Sequence, residues 1–349
     1  MGPVNATPVC EAGDVTWLRA DVALAAAARR TGGHLARSIG LKAERVAQVE
    51  LCVTEMATNI LKHAEDGALA LHVVRSRDRA AVECLALDTG PGMRDVGAAL
   101  RDGTSATGTL GIGLGAIART ADSFAVHTLP GRGSVVHTRF WTADGPPLDA
   151  GPVEAGGLTR PIGGEQVCGD TWAVRTVARD DGEATLVLMC DGLGHGPLAA
   201  RVSDLARSAF RESRGTSPGA VLQDVHRALQ GTRGAAVALA LIDARRHRVE
   251  LMGVGNISAL VTAEGGRTGL LSLPGIVGLQ LPRPRTFDAA FPPGAVLVMH
   301  SDGLSDRWKP ADFPGLFAHR PSLVAAQLLN QAGVRRDDAG IVVAGHRRP

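Results

Sequence analysis

Apolar side chains in the first half of the chain follow a helical spacing in two segments and a strand spacing in four. Over residues 44–64 they recur at steps of three and four, which predicts an amphipathic helix. Another helix is predicted over 21–39, with Gly32 and Gly33 as a potential break. Strands are predicted over 68–74, 80–87, 124–129 and 134–140, with a long loop over 93–108. The first half is therefore predicted to be α/β.

The second half is predicted to contain more strand than helix. Apolar runs predict strands over 171–177, 184–190, 235–242, 249–254, 257–262 and 295–300. Helices are predicted over 197–214, 219–229 and 323–332. Between the halves, residues 142–165 are rich in proline and glycine and poor in large apolar side chains, which indicates a linker. We therefore expect a first domain over 1–142, a linker over 143–160 and a second domain over 161–349.

Composition favours two ordinary domains whose partners are proteins and nucleotides. A length of 349 residues suits two cores, and 45% apolar with 21% charged residues is not the composition of a disordered chain. The net charge of +2 lacks the basic excess that attracts nucleic acid or an anionic membrane. No apolar run approaches 18 residues, and five cysteines without a C-x-x-C pair favour reduced thiols. We expect a cytoplasmic protein.

Three features of the first half are suited to nucleotide chemistry. Glu55 and Asn59 are four residues apart on the predicted helix, so they share one face, where a carboxylate could accept a proton and an amide could hold Mg²⁺. Asp88 directly follows a predicted strand and precedes two glycines, Gly90 and Gly92. A glycine run then leads into an apolar segment, as in loops that bind phosphate at a helix N-terminus. Its glycines are Gly108, Gly111, Gly113 and Gly115.

Each of these features also has an ordinary structural explanation. A Glu and an Asn four residues apart are typical of a solvated helix face, an Asp before glycines often starts a tight turn, and glycine loops are common. Their order along the chain carries more information than any one of them.

That order resembles the ATP-binding fold of the GHKL superfamily, which includes gyrase-type ATPases, histidine kinases and anti-sigma-factor kinases. The similarity covers roughly residues 15–141 and is strongest to RsbT and RsbW serine kinases, through VTEMATNILKHA at 53–64 and ALRDGTSATGTLGIGLGAIARTAD at 99–122. It implies a Bergerat-type α/β sandwich that binds ATP with Mg²⁺. By this resemblance Glu55 is the general base, Asn59 holds Mg²⁺ and Asp88 reads adenine. Gly90 and Gly92 shape the base pocket, and the glycine run closes over the phosphates.

Aspartates in the second half lie next to glycines, turns or strand ends. They are Asp170, Asp191, Asp302 and Asp337, in the settings GD (169–170), DGLGHG (191–196), SDGLSD (301–306) and RDDAGIVV (336–343). Any single one of them is explained by the frequency of Asp in turns. Together, hard oxygen ligands without a His/Cys cluster suit Mg²⁺ or Mn²⁺.

This set is similar to the SpoIIE/RsbX branch of metal-dependent protein phosphatases of the 2C type, over about residues 160–345. The segments GDTWAVR at 169–175 and CDGLGHGPLAA at 190–200 are particularly similar. The resemblance implies an α-β-β-α sandwich with two Mn²⁺ or Mg²⁺ ions.

The same resemblance assigns a role to each candidate metal ligand. Asp191 bridges the two ions with the Gly192 carbonyl beside it, Asp302 and Asp337 bind one ion, and Asp170 binds directly or through water. Asp337 is preferred to Asp338 on register. His195 either contacts phosphate or caps the following helix. Many relatives carry an aromatic pair and another acid where this chain continues Thr171-Trp172-Ala173, so a third metal is in doubt.

The combined expectation is a bifunctional serine/threonine kinase and phosphatase that acts on STAS-domain proteins in bacterial partner switching. The alternative is a nucleotide-dependent binding module that sequesters a sigma factor or activates a downstream phosphatase, with only the phosphatase half catalytic. GHKL kinases of this kind often pair, which leaves a homodimer open.

Overall fold

The computed structural model describes most of the chain, in two compact units. The described residues are 9–11, 14–75, 79–101, 113–143, 151–163, 165–179, 182–263, 266–283, 285–334 and 336–347. One unit is built from elements between residues 16 and 141, and residues 326–330 of a later helix are grouped with it. The other contains the strands between 153 and 346 together with the first described strand, β1 (Val9–Glu11).

The first unit is an antiparallel sheet with helices packed on one face. Its elements are β2 (Thr16–Arg19), α1 (Leu24–Ser38), α2 (Ala43–His63), β3 (Asp66–Arg75), β4 (Ala80–Thr89), α3 (Val96–Leu100), α4 (Gly113–Thr120), β5 (Ser123–Leu129) and β6 (Gly133–Trp141). The strand order is β2-β3-β4-β6-β5. Apolar residues of α1, α2 and α4 form one buried cluster with those of the sheet, which includes Met56, Val82 and Phe140.

Helix α1 runs unbroken through Gly32 and Gly33, the potential break within the predicted helix. A Cβ on Gly33 would overlap Oε1 of Glu50 on α2, and one on Gly32 would lie 3.0 Å from Val53. Glu50 also accepts a hydrogen bond from Arg37 of α1 at 3.1 Å. The glycines therefore allow α1 and α2 to pack closely, and this packing maintains the helix that glycine alone would weaken.

The second unit is a sandwich of two sheets with helices α5 and α6 packed against the first of them. Its further elements are β7 (Val153–Arg160), β8 (Asp170–Arg179), β9 (Gly182–Gly192), α5 (Gly196–Glu212), α6 (Pro218–Leu229), β10 (Ala235–Asp243), β11 (Arg248–Val254), β12 (Ser258–Ala263), β13 (Gly266–Leu270), β14 (Ser272–Leu273), β15 (Phe287–Ala290), β16 (Val296–His300), two short 3-10 helices (Pro310–Asp312 and Leu316–Ala318), α7 (Pro321–Ala332) and β17 (Ala339–His346).

The two sheets have the strand orders β1-β8-β9-β10-β11-β14, with β15 beside β11, and β13-β12-β16-β17-β7. A buried cluster between the sheets includes Trp172, Val187 and Met299. A separate cluster between the first sheet and the helices includes Phe210 and Val225. The predicted class, two mixed α/β domains, is confirmed.

The predicted linker over 143–160 is wrong in its second half. Val153–Arg160 is strand β7, which pairs along its whole length with β17. Its glycines are required by close packing: a Cβ on Gly157 would lie 2.8 Å from the Trp172 ring. A high glycine content therefore marks a closely packed strand rather than a flexible connection.

None of the helices in the described part of the chain is long and apolar enough to cross a membrane.

Candidate functional sites

Helix α2 carries Glu55 and Asn59 one turn apart, both partly exposed. The apolar face of the helix, including Met56 and Ile60, is buried against the sheet. Periodicity therefore places the two polar side chains on the side of the helix away from the core. A carboxylate and an amide so placed can accept a proton and coordinate a cation next to each other.

Asp88 lies at the end of β4, beside the C-terminus of α2. A Cβ on Gly90 would lie 3.2 Å both from Oδ1 of Asp88 and from the carbonyl oxygen of His63, so the turn has no room for a larger residue without displacement. Gly92 has φ +68°, and a Cβ there would lie 2.6 Å from the carbonyl oxygen of Leu129. Both glycines that the sequence singled out keep the backbone close around this carboxylate.

Burial raises the pKa of Asp88 to about 6, although a backbone hydrogen bond from Ser134 acts in the opposite direction. A partly buried carboxylate of this kind is a strong acceptor for a single donor, such as an amine on a base.

Of the glycine run, Gly113 and Gly115 begin helix α4, whereas Gly108 and Gly111 lie outside the described residues. Gly113 has φ +68°, and no atom of the described residues lies within 4 Å of where its Cβ would be. Gly115 is buried. The N-terminus of a helix is the kind of place where phosphate binds.

A buried carboxylate on the same sheet was missed from sequence. Glu83 of β4 is 1% exposed and lies 2.7 Å from Nε2 of His72, 2.8 Å from Nε2 of His137 and 2.9 Å from Nε of Arg139. Burial alone would raise its pKa, but Arg139 and the two histidines hold the pKa of Glu83 well below its usual range. A lone acid inside the apolar run AAVECLAL was the available signal.

The second unit brings its predicted aspartates to one end of the sandwich. Asp170 and Asp191 are register partners at the ends of β8 and β9. Asp302 follows β16 and Asp337 precedes β17, and these two strands pair with each other. Asp170 and Asp302, which are distant in sequence, therefore lie near each other because strands of the two packed sheets end on the same side.

The raised pKa values of these aspartates reflect burial and the mutual repulsion of their negative charges. Burial, followed by the charge of Asp191, raises the pKa of Asp170 well above its usual range. Burial, with the charges of Asp302 and Asp337, raises the pKa of Asp191 to about 7. Burial and Asp337 likewise raise the pKa of Asp302. Clustered negative charge carried on hard oxygen atoms fits Mg²⁺ or Mn²⁺.

Two of these carboxylates accept hydrogen bonds from neighbouring side chains. Ser301 Oγ donates to Oδ2 of Asp170 at 2.5 Å, and Asn256 Nδ2 donates to Oδ2 of Asp302 at 2.7 Å. In this arrangement no group of three or more His, Cys, Asp or Glu side chains within the described ranges has the geometry of a metal site.

Ser301 and Asn256 were not predicted. Ser301 is buried and also accepts the backbone N–H of Gly340 at 3.0 Å, so it ties Asp170 to β17. The only sequence signal was its position directly before Asp302. Asn256 lies in the turn between β11 and β12, which gave no signal.

Asp337 and Asp338 have different surroundings, and the preference for Asp337 as a metal ligand stays a prediction. Asp338 is buried, and its two oxygens accept the backbone N–H groups of Ile162 and Gly169, each at 2.7 Å. Asp337 is exposed. Asp338 thus has a structural partner for each oxygen, while Asp337 is accessible to a ligand.

Gly192 closes β9 next to Asp191, and a Cβ there would lie 2.5 Å from the carbonyl oxygen of Ala199 on α5. Its carbonyl as a metal ligand stays a prediction. His195 precedes α5 but makes no side-chain capping bond; its Nδ1 lies 3.1 Å from Oε1 of Glu165.

Known proteins match each unit separately. Residues 18–140 match the family described as histidine kinase-like ATPase domain, and residues 181–345 match the family described as stage II sporulation protein E (SpoIIE). The serine/threonine-protein kinase RsbT of Bacillus subtilis is 30% identical over 115 residues, 33% of this chain and 86% of that protein. The phosphoserine phosphatase RsbX of the same organism is 22% identical over 143 residues, 41% of this chain and 70% of that protein. A crystal structure of RsbX with magnesium has 19% identity and a TM-score of 0.46, over 56% of this chain and 96% of that one.

Proposed function

Since the chain belongs to the RsbT family of kinases through its first unit and carries a SpoIIE-family domain in its second, we propose that it both phosphorylates and dephosphorylates serine or threonine. The single observation that carries the proposal is the presence of two separate phosphate-handling sites on one polypeptide. One combines Glu55, Asn59 and Asp88, and the other is the carboxylate cluster around Asp191.

In the first unit, Asp88 accepts a hydrogen bond from the exocyclic amine of adenine and the N-terminus of α4 faces the phosphates. Asn59 holds Mg²⁺ with the nucleotide. Glu55, one helical turn away from Asn59, takes the proton of the attacking hydroxyl. Such a site works mainly by positioning and by neutralising charge.

In the second unit, Asp170, Asp191, Asp302 and Asp337 hold two Mn²⁺ or Mg²⁺ ions, with the Gly192 carbonyl beside Asp191. The ions supply a water of lowered pKa and positive charge for phosphoryl oxygens. The residues of this chain orient that site: Ser301 and Gly340 fix Asp170, and Asn256 fixes Asp302.

The proposed substrates are STAS-domain proteins of a bacterial partner-switching pathway. The support is the pairing of an RsbT-like with an RsbX-like domain, named as a serine/threonine-protein kinase and a phosphoserine phosphatase in their relatives. Near the carboxylate site, Leu193 and Leu279 are 37% and 58% exposed, which suits contact with a protein. Because opposing activities on one residue would only hydrolyse ATP, we expect different substrates or a signal that changes their balance.

The test uses the full-length protein, γ-labelled ATP and a panel of purified STAS proteins. Glu55→Gln should lower label transfer by about 10²–10⁴-fold, because general-base assistance is lost, while nucleotide affinity changes little. Asp191→Asn should abolish Mn²⁺-dependent release of phosphate from the phosphorylated protein. Exposed carboxylates on the same helix as Glu55 and after Asp191, tested as Glu44→Gln and Asp204→Asn, are the matched controls.

Nucleotide-dependent capture of a partner without label transfer would overturn the kinase half and favour the binding module. Phosphate release that is unchanged in Asp191→Asn would overturn the phosphatase half.

A further inference from the structure

Arg233 reaches the loop that follows Asp191. It lies in the turn before β10, and its Nη1 donates to the carbonyl oxygen of Leu193 at 3.1 Å. The Leu193 N–H in turn donates to the carbonyl oxygen of Gly234 at 3.2 Å. Ala236 of β10 is the register partner of Asp191. The guanidinium is therefore fixed two residues beyond the central carboxylate of the cluster.

The loop leaves space for this side chain. Gly194 has φ +94°, and a Cβ on it would lie 2.7 Å from Nη1 of Arg233. Any other residue at 194 would push the guanidinium away from the loop. The glycine in the DGLGHG motif thus serves the position of the arginine as well as the turn.

The positive charge of Arg233 is not neutralised by an ion pair with the described carboxylates. It forms no ion pair within 4.0 Å with any residue that the structure describes, although the acidic cluster lies on the same rim. A guanidinium has five N–H donors, and among the described residues the Leu193 carbonyl is the one hydrogen-bond partner of this side chain. Its remaining donors face solvent, since Arg233 is exposed.

We propose that Arg233 binds the phosphate group of a phosphomonoester substrate at the carboxylate site. This inference rests on the proposed phosphatase function. A phosphomonoester dianion matches the planar donors of a guanidinium, which can contact two non-bridging oxygens at once. The arginine also supplies the positive charge that attracts an anion towards a rim otherwise dominated by aspartates. It takes no part in bond making or breaking.

The experiment measures full-length protein with Mn²⁺, using p-nitrophenyl phosphate as substrate and inorganic phosphate as a competitive ligand. Arg233→Ala should raise KM and the inhibition constant of phosphate by about 10–100-fold, the usual effect of losing a charge-assisted hydrogen-bond pair. Arg233→Lys should recover part of this loss, because it keeps the charge but not the fork. Mn²⁺ affinity should be unchanged in both. Arg214→Ala, an exposed arginine after α5, is the matched control.

The outcomes distinguish a failure of the role of Arg233 from a failure of the proposed phosphatase function. If the wild-type protein hydrolyses the substrate and Arg233→Ala behaves like Arg214→Ala in KM and phosphate inhibition, the role of Arg233 is overturned and the phosphatase stands. If the wild-type protein shows no hydrolysis, the proposed function fails, and calorimetric phosphate binding to the Mn²⁺-loaded protein decides the role of Arg233: equal affinity in wild type and Arg233→Ala refutes it. A variant that misfolds is recognised by loss of Mn²⁺ binding, and Arg233→Lys then provides the comparison.

Discussion

Replacing Asp88 with asparagine should weaken nucleotide binding and stabilise the first unit at the same time. Burial raises the pKa of this carboxyl to about 6, from an ordinary value of 3.8. A carboxyl with a raised pKa stabilises the fold in its protonated form, so its contribution is complete below pH 3.8 and is lost as the pH rises through about 6. At neutral pH the ionised Asp88 therefore costs folding free energy.

The size of both effects can be worked out. A shift of about two pKa units corresponds to about 3 kcal/mol. Because Asp88 is partly exposed, solvent screening reduces this, and we expect Asp88→Asn to gain about 1 kcal/mol at pH 7.5. A hydrogen bond to a charged acceptor contributes about 1.5–3 kcal/mol, so the variant should bind nucleotide about 10–150-fold more weakly. In the wild type, affinity should fall by up to about tenfold per pH unit below pH 6.

The assay is calorimetric titration with ADP from pH 5 to pH 8, together with urea unfolding at pH 7.5. The Asp88→Asn profile contains only the titration of ADP itself, so the difference between the two profiles isolates the carboxyl. Asp14→Asn removes an exposed carboxylate and should change neither quantity. Parallel profiles for wild type and Asp88→Asn, or undiminished affinity in the variant, would refute the assigned role.

Three further changes test the remaining sites. Gly92→Ala should cost about 1–3 kcal/mol of unfolding free energy, because φ is +68° and the Cβ would press on the Leu129 carbonyl; urea unfolding measures it. Glu83→Gln should cost about 3–5 kcal/mol by removing the buried carboxylate that Arg139 contacts, and a loss below about 1 kcal/mol in the same assay would contradict this. Mn²⁺ at 100 times its Kd should stabilise the protein by about 2.7 kcal/mol in thermal unfolding, an effect absent from Asp191→Asn. Without metal, wild-type stability should fall as the pH rises through about 7, since the pKa of Asp191 is raised, and a flat profile would count against this.

Short-range patterns in the sequence predicted the helices and strands, and they predicted that the site residues lie at the ends of strands. The helix predicted over 44–64 is Ala43–His63, because its apolar spacing is regular and tertiary packing uses that same face. Asp88 and Asp191 were found because an apolar strand followed by an acid and glycines is a short-range pattern. The fold class follows from the alternation of such segments.

Contacts between distant strands could not be predicted in this way. Ser301 binds Asp170 across 131 positions, and Glu83 meets Arg139 only because β4 pairs with β6. Strand β7 was mistaken for a linker because its glycines make room for a partner that is distant in sequence. Register between strands depends on the complete set of contacts, so a single sequence does not reveal it.

The short strand β1 gives the two units an unusual covalent relation. Because Val9–Glu11 pairs with β8 and Val153–Arg160 pairs with β17, the polypeptide enters the phosphatase-like fold, leaves it to form the ATPase-like one, and returns. The ATPase-like segment is thus inserted into the sequence of the phosphatase-like unit and is not joined to its end. Isolating the ATPase-like unit requires two cuts, and a fragment that begins after residue 142 would leave the edge of β8 open to pairing with another molecule.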